Sequence, residues 1–241
     1  MPTRIAMWSG PRNISTALMR AWENRADTVV VDEPLYAHYL HATGLDHPGR
    51  DEIIAAYETD WRTVVAELTA APLPPGASIF YQKHMTHHIL ASMQLDWLGA
   101  LHNCFLIRAP AEVLLSYIRV RPDPTLADLG FPQQWQLFET VRQQTGQTPP
   151  VIDSRDVLAD PRRTLTRLCQ ALGVPFSERM LAWPPGPRQS DGVWAPHWYA
   201  AVEKSTGFGP YRPKSEPVPA HLQGLLAQAD EIYQKLHQHR L

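Results

Sequence analysis

The sequence predicts a single α/β domain with a central parallel sheet covered by helices on both sides. Three observations predict it. Short β-type runs alternate with amphipathic helical runs along the 241 residues. The opening stretch has strand–tight loop–helix–strand order, the unit from which parallel sheets are built. No Pro-, Gly- or Ser-rich linker divides the chain, and its length fits one large domain at a prior of roughly 150 residues per domain.

The elements follow in order. Arg4 to Trp8 is a β-type run ended by Ser9-Gly10-Pro11, and Ile14, Leu18, Met19 and Trp22 then recur at helical spacing. Thr28 to Val31 is a β-branched strand stopped at Asp32-Glu33-Pro34. Asp51 to Ala70 reads as one helix, broken by Pro72-Leu-Pro-Pro-Gly76. Ser78 to Gln82 is a third strand, followed by a short helix over 87–93, and Asn103 to Ile107 is a central strand. Ala111 to Arg119 is a helix entered through Pro110. Residues 121–148 read as loop plus an amphipathic helix around Trp135 and Phe138, before the short strand Val151-Ile152. Asp160-Pro161 opens a helix as N-cap and first residue, with Leu165, Leu168, Cys169 and Leu172 on one face and Gly173 at its end. Residues 183–219, rich in Pro, Gly and Trp, are too long for a plain connection and are expected to cap the domain or contact substrate. Leu222 to Leu236 marks a last helix.

Composition excludes several classes. Lys plus Arg number 22 against 24 Asp plus Glu, a net charge of −2, which does not fit a protein that coats nucleic acid or an anionic membrane. Apolar residues make up 44% and charged residues 19%, so the chain is neither disordered nor fibrous. There is no long apolar run and no apolar stretch behind the N-terminus, so a cytoplasmic location is the expectation. Cys104 and Cys169 are the two cysteines, both in apolar settings and expected to be buried and inert. His84/His88 and His38/His41 have ligand-like spacing, but H-E-x-x-H is absent and no metal is expected.

The chemistry concentrates after the first strand. In Ser9-Gly10-Pro11-Arg12-Asn13-Ile14-Ser15-Thr16, a strand-to-helix turn offers backbone N–H groups at a helix N-terminus, a guanidinium and two hydroxyls. That is the chemistry of a phosphate or sulfate cradle. It is not a Walker A loop, which needs G-x-x-x-x-G-K-[ST]. Glu33 ends the second strand at the carboxyl edge of the sheet, where α/β proteins bind ligands. It is a candidate base, with Asp32 as a turn or helper residue. Lys83-His84 follows the third strand and offers a cation and a second candidate base, whereas His87 and His88 read as surface or helix-start residues.

The loop resembles the 5′-phosphosulfate loop of the sulfotransferase family, Pro-[Lys/Arg]-x-x-[Ser/Thr]-[Ser/Thr]. Pro11, Arg12, Ser15 and Thr16 fit it, with Ile14 where the family usually has Gly. Arg108 and Ser116, eight positions apart (116 − 108 = 8), resemble the family's 3′-phosphate pair. Asp156-Val-Leu-Ala-Asp160-Pro161 with Leu172-Gly173-Val174-Pro175-Phe176 resembles its "DL-x-DP … LG-x-PF" stretch. The three matches keep the family's order across residues 4–176.

The resemblance implies a P-loop-like fold and 3′-phosphoadenosine 5′-phosphosulfate (PAPS, leaving PAP) as sulfuryl donor, with residues 10–16, Arg108 and Ser116 holding it. It says little about the acceptor; the reading is in-line transfer to a hydroxyl or amine of a small molecule with no obligatory metal, and no nucleic-acid or membrane partner is expected from the charge. Arg12 would stand at the leaving oxygen and Lys83 would be an active-site cation. Glu33 sits where some branches have a catalytic Glu; His84 lies one position off the Lys-x-His of another branch. The family's closing Arg-Lys-Gly triplet is missing, and Lys204-Ser205-Thr206-Gly207 is the expected substitute. A P-loop kinase and a non-catalytic nucleotide-binding protein are the alternatives.

Overall fold

The computed structural model describes residues 2–241. Five strands form one all-parallel sheet: β1 (Thr3–Ser9), β2 (Thr28–Asp32), β3 (Ile79–Met85), β4 (His102–Ile107) and β5 (Val151–Asp153), in the order β2-β3-β1-β4-β5. β1 is central because both of its faces are apolar, as a doubly covered parallel strand requires. Ile5 and Met7 point into one core, with Leu18, Trp22, Tyr81, Leu106 and Leu165. Ala6 and Trp8 point into the other, with Val64, Phe105, Leu137 and Phe138.

Eleven helices are found among the described residues. On the first face lie α1 (Ser15–Glu23), α7 (Ser154–Ala159) and α8 (Pro161–Ala171). Asp160 caps α8 by accepting the Arg163 N–H at 3.0 Å, with Pro161 in its first turn, and Gly173 leaves it at φ +70°. On the second face lie α4 (Trp61–Ala70), α6 (Phe131–Thr145) and α11 (Gln223–His237). α2 (Tyr36–Thr43), α3 (Arg50–Ala56) and α5 (Pro110–Tyr117) stand around the carboxyl edge, with the one-turn helices α9 (Ala195–Trp198) and α10 (Ala200–Glu203). No helix among the described residues is long and apolar enough to cross a membrane.

The structure corrects two element expectations and gives the partners of a third segment. The single helix over 51–70 is two, α3 and α4. Tyr57 is extended, Glu58 accepts the Asp60 N–H at 2.7 Å, and Asp60 accepts the Arg62 N–H at 3.1 Å, so local side-chain bonds end one helix and start the next. The short helix over 87–93 is one 3-10 turn, Thr86–His88. The segment 183–219 carries α9 and α10 and folds back onto the body. Ala182 and Gly207 pair as an antiparallel bridge, Arg20 binds Asp191 at 2.7 Å, and Ser190 donates to Glu23. Trp194, Ala195 and Tyr199 pack against Tyr36, Leu40 and Ile53. Cys104 and Cys169 are both free and buried.

Candidate active site

A cavity of about 480 Å³ opens at the carboxyl edge of the sheet. This is where the βα loops of a parallel sheet converge and where such folds bind ligands. Its floor is the loop between β1 and α1. Asn13 is tied down by its side-chain bond to the Leu106 carbonyl and by Ser154 Oγ, which donates to the Asn13 carbonyl at 3.1 Å. Arg12 and Ile14 adopt positive φ, +65° and +59°. For a β-branched residue that conformation is costly and persists only where the surroundings impose it. No side chain caps the first turn of α1, so its N–H groups are left to a ligand or to water.

The loop and α5 meet at one cation-rich point. Arg12 Nε donates to Ser116 Oγ at 2.8 Å, and Arg108 Nη1 donates to the Arg12 carbonyl at 2.9 Å. Glu112 holds the Arg108 Nε at 2.8 Å and accepts from the Tyr211 hydroxyl at 2.7 Å. Burial first, then the charges of Arg108 and Arg119, lower the pKa of Arg12. The charges that weigh on this guanidinium are thus cations, so the spot favours an anion.

Across the cavity, Lys83 is buried among acceptors. Its Nζ donates to Asp32 at 2.7 Å, to Glu33 at 2.5 Å and to the Tyr199 hydroxyl at 3.0 Å. These three bonds use all three ammonium protons. Asp32 and Lys83 are register partners on β2 and β3, which is why they face each other. Glu33, at φ +42°, follows them out of the strand and stays 12% exposed in the cavity wall. Burial raises its pKa. Lys83 opposes that shift and Asp32 adds to it. Asp32 with its two neighbours raises Lys83 well above the ordinary range, so the ammonium stays charged against a large desolvation cost.

The cavity brings together residues 11–16, Glu33, Lys83, Arg108, Ser116, Ser205 and Gly207. Gly10 stands behind the loop, where an added Cβ would lie 2.5 Å from the Leu129 carbonyl oxygen. Lys204 and Thr206 are exposed beside the cavity and do not line it. Ser205 accepts from the Trp183 indole at 3.1 Å and donates to the Val202 carbonyl.

The structure departs from expectation at His84. Successive strand residues point to opposite faces, so with Lys83 in the cavity His84 lies on the other side of the sheet. There it stacks on Trp8 at 4.2 Å and bonds Gln82 at 3.2 Å. Burial holds it neutral, with its pKa pushed down to about 3. His87 and His88, expected at the surface, line the cavity instead. His88 stacks on Tyr36 at 4.7 Å and stands 3.9 Å from Glu33. Of the aromatic residues in 183–219, Trp198, Tyr199 and Phe208 reach the cavity, while Trp183 and Trp194 are packed in cores. His47, Tyr117 and Arg121 also line it and carried no sequence signal.

A parallel sheet covered by helices, with an uncapped helix N-terminus and a cation cluster at its carboxyl edge, places the chain among the doubly covered α/β proteins. Within that class the chain belongs to the sulfotransferase domain family, whose model matches residues 3–239. It is 37% identical over 239 residues to "Branched-chain-amino-acid aminotransferase-like protein 1" of Arabidopsis thaliana, covering 99% of this chain and 42% of that protein. To protein 2 of the same name and organism it is 34% identical, covering 98% and 41%. The chain thus spans about two-fifths of these relatives. Among solved structures, the sulfotransferase domain of the Synechococcus PCC 7002 olefin synthase aligns with TM-score 0.62 at 18% identity, covering 97% of this chain and 94% of that one. A sulfotransferase from Alicyclobacillus acidocaldarius aligns with TM-score 0.55 at 10% identity, covering 100% and 98%. At such identities the likeness is one of fold.

Proposed function

We propose that this chain moves a sulfuryl group from PAPS to a hydroxyl or amine of a small acceptor, by direct in-line displacement and without an obligatory metal. The observation that carries the reading is the meeting of Arg12, Arg108 and Ser116 at the open N-terminus of α1, in the same cavity as Glu33. The residues present fit a doubly phosphorylated donor. The uncapped α1 N–H groups and the Ser15 and Thr16 hydroxyls suit one phosphate, and Arg108 and Ser116 suit the other. Arg12 spends only its Nε on Ser116, which leaves its Nη donors for donor oxygens.

Bound PAPS supplies a sulfur whose bond to the 5′-phosphate oxygen breaks as the bond to the acceptor oxygen or nitrogen forms. The protein's part is to align the partners and hold charge. Glu33 takes the acceptor proton at its carboxylate, and Arg12 with the α1 N–H groups steadies the negative charge left on the phosphate. Lys83 holds the Glu33 carboxylate in place, since its three protons are already committed. Tyr36, His88 and Trp198 line the same cavity as Glu33.

Thermal melting with PAP tests the reading. A ligand at about 100 times its Kd adds about 2.7 kcal/mol, or a rise in Tm of about 5–10 °C for a chain of this size. The rise should disappear in Arg108→Ala. No rise with PAP, together with a rise from Mg-ATP, would turn the reading into that of a kinase.

A further inference from the structure

We infer that Tyr199 is a positioning residue whose hydroxyl links the seating of the 183–219 segment to the charge on Glu33. The inference rests on the reading of Glu33 as the acceptor base. Its geometry is a network of hydrogen bonds that joins the segment to Asp32, Lys83 and one oxygen of Glu33. The Tyr199 hydroxyl donates to Asp32 Oδ2 at 2.6 Å, and it accepts from Lys83 at 3.0 Å and from the Trp194 indole at 3.2 Å. The same Asp32 oxygen receives the Gly192 N–H at 3.4 Å. Tyr199, Trp194 and Gly192 all belong to the segment that folds over the cavity. Asp32 Oδ1 and Glu33 Oε1 share the one ammonium of Lys83. The segment therefore rests on the carboxylate that competes with Glu33 for its only buried cation.

The groups facing Glu33 are few: Asp32 from β2, Lys83 from β3, His88 from the 3-10 turn, Tyr36 from α2 and Tyr199 from the segment. His88 is held neutral by burial, so the charge balance is set by two carboxylates and one ammonium. With all three ionised the cluster carries one excess negative charge. The Tyr199 hydroxyl spreads part of that charge by hydrogen-bonding to Asp32. Removing it has two opposed effects. The Asp32 carboxylate loses a short bond from a neutral hydroxyl donor, which strengthens its hold on Lys83, and Lys83 loses a longer bond to a neutral oxygen. The 2.6 Å bond to a charged acceptor is the stronger of the two. The net result is that Lys83 moves toward Asp32 and Glu33 holds its proton to higher pH.

The experiment is a carbon-13 NMR titration of the Glu33 carboxyl in the ligand-free full chain, assigned by its loss in Glu33→Gln. Tyr199→Phe should move the titration up by about one pH unit. Asp32→Asn, which removes the competing charge, should move it down. Tyr57→Phe should leave it unchanged, since Tyr57 touches the segment at the Val193 N–H without reaching the carboxylates. In turnover, Tyr199→Phe should carry the acid limb of the kcat profile upward by the same amount and keep the high-pH plateau. An unmoved titration in Tyr199→Phe, an upward move in Asp32→Asn, or an equal move in Tyr57→Phe would overturn the inference. The titration needs no donor, so it reads the linkage even if PAPS proves not to be the substrate.

Discussion

Glu33 and His84 were equal in kind as sequence candidates, and one angle and one parity separate them. Glu33 leaves β2 at φ +42° and turns its carboxylate into the cavity. His84 follows Lys83 on the same strand and so points away from it. The Glu33 position was legible because strand ends at the carboxyl edge are predictable. The His84 outcome was also present in strand parity, but only once β3 was known to run to Met85 rather than Gln82. Glu33→Gln should cut kcat by about 10²–10⁴ while the PAP melting shift stays intact. Because the pKa of Glu33 is raised, the deprotonated base forms later than for a free carboxylate, so turnover should rise with pH beyond the usual carboxylate range. At the other end of the cavity, Arg12→Ala should weaken PAP by about 10–100-fold, the loss expected for a charge-assisted hydrogen bond, read by calorimetry. Ile14 stands at φ +59°, in the left-handed region that a glycine enters without steric cost and a β-branched residue does not.

Among the elements, β-branched runs and Pro or Asp stops exposed the strands, and Asp160-Pro161 marked α8 to the residue. The α3–α4 break stayed hidden because Ile53, Ile54, Tyr57, Trp61 and Val64 keep helical spacing across it. It is made by Glu58 and Asp60 bonding to nearby N–H groups, which no periodicity reports. The partners of 183–219 were hidden for another reason: Asp32 and Tyr199 meet across 167 positions. Arg20 is 1% exposed in α1 and pairs with Asp191, itself 4% exposed. Asp191→Ala would leave a buried guanidinium with only the weaker 3.4 Å contact to Glu23. A loss of about 3–5 kcal/mol is expected for a broken buried pair, measured by urea unfolding. Amide exchange should quicken first in 190–207.

For the molecule as a whole, buried neutral imidazoles set the acid limit. His84 and His87 are pushed down to about 3 and His47 to about 4, chiefly by burial. Their usual value is about 6.5, so the unfolded chain takes up protons before the native one does. The stability these groups contribute is fully present above about pH 6.5 and is lost as pH falls toward 3. Tm should therefore drop across that window. The drop should be shallower in His84→Gln, which keeps a polar group beside Gln82 and outside the cavity.

The sheet order places the earliest strand of this sequence between two that come much later. On a ribosome, β1 gains its first neighbour only after residue 85 has emerged, and its second only after residue 107. Until then it is an apolar ribbon with open hydrogen-bonding edges, the form most prone to pairing with other chains. Nascent fragments ending between β3 and β4 should bind chaperones more tightly than fragments carried past β4, and the loop at the tip of β1, which Asn13 ties to the Leu106 carbonyl, is set in place only when that second edge closes.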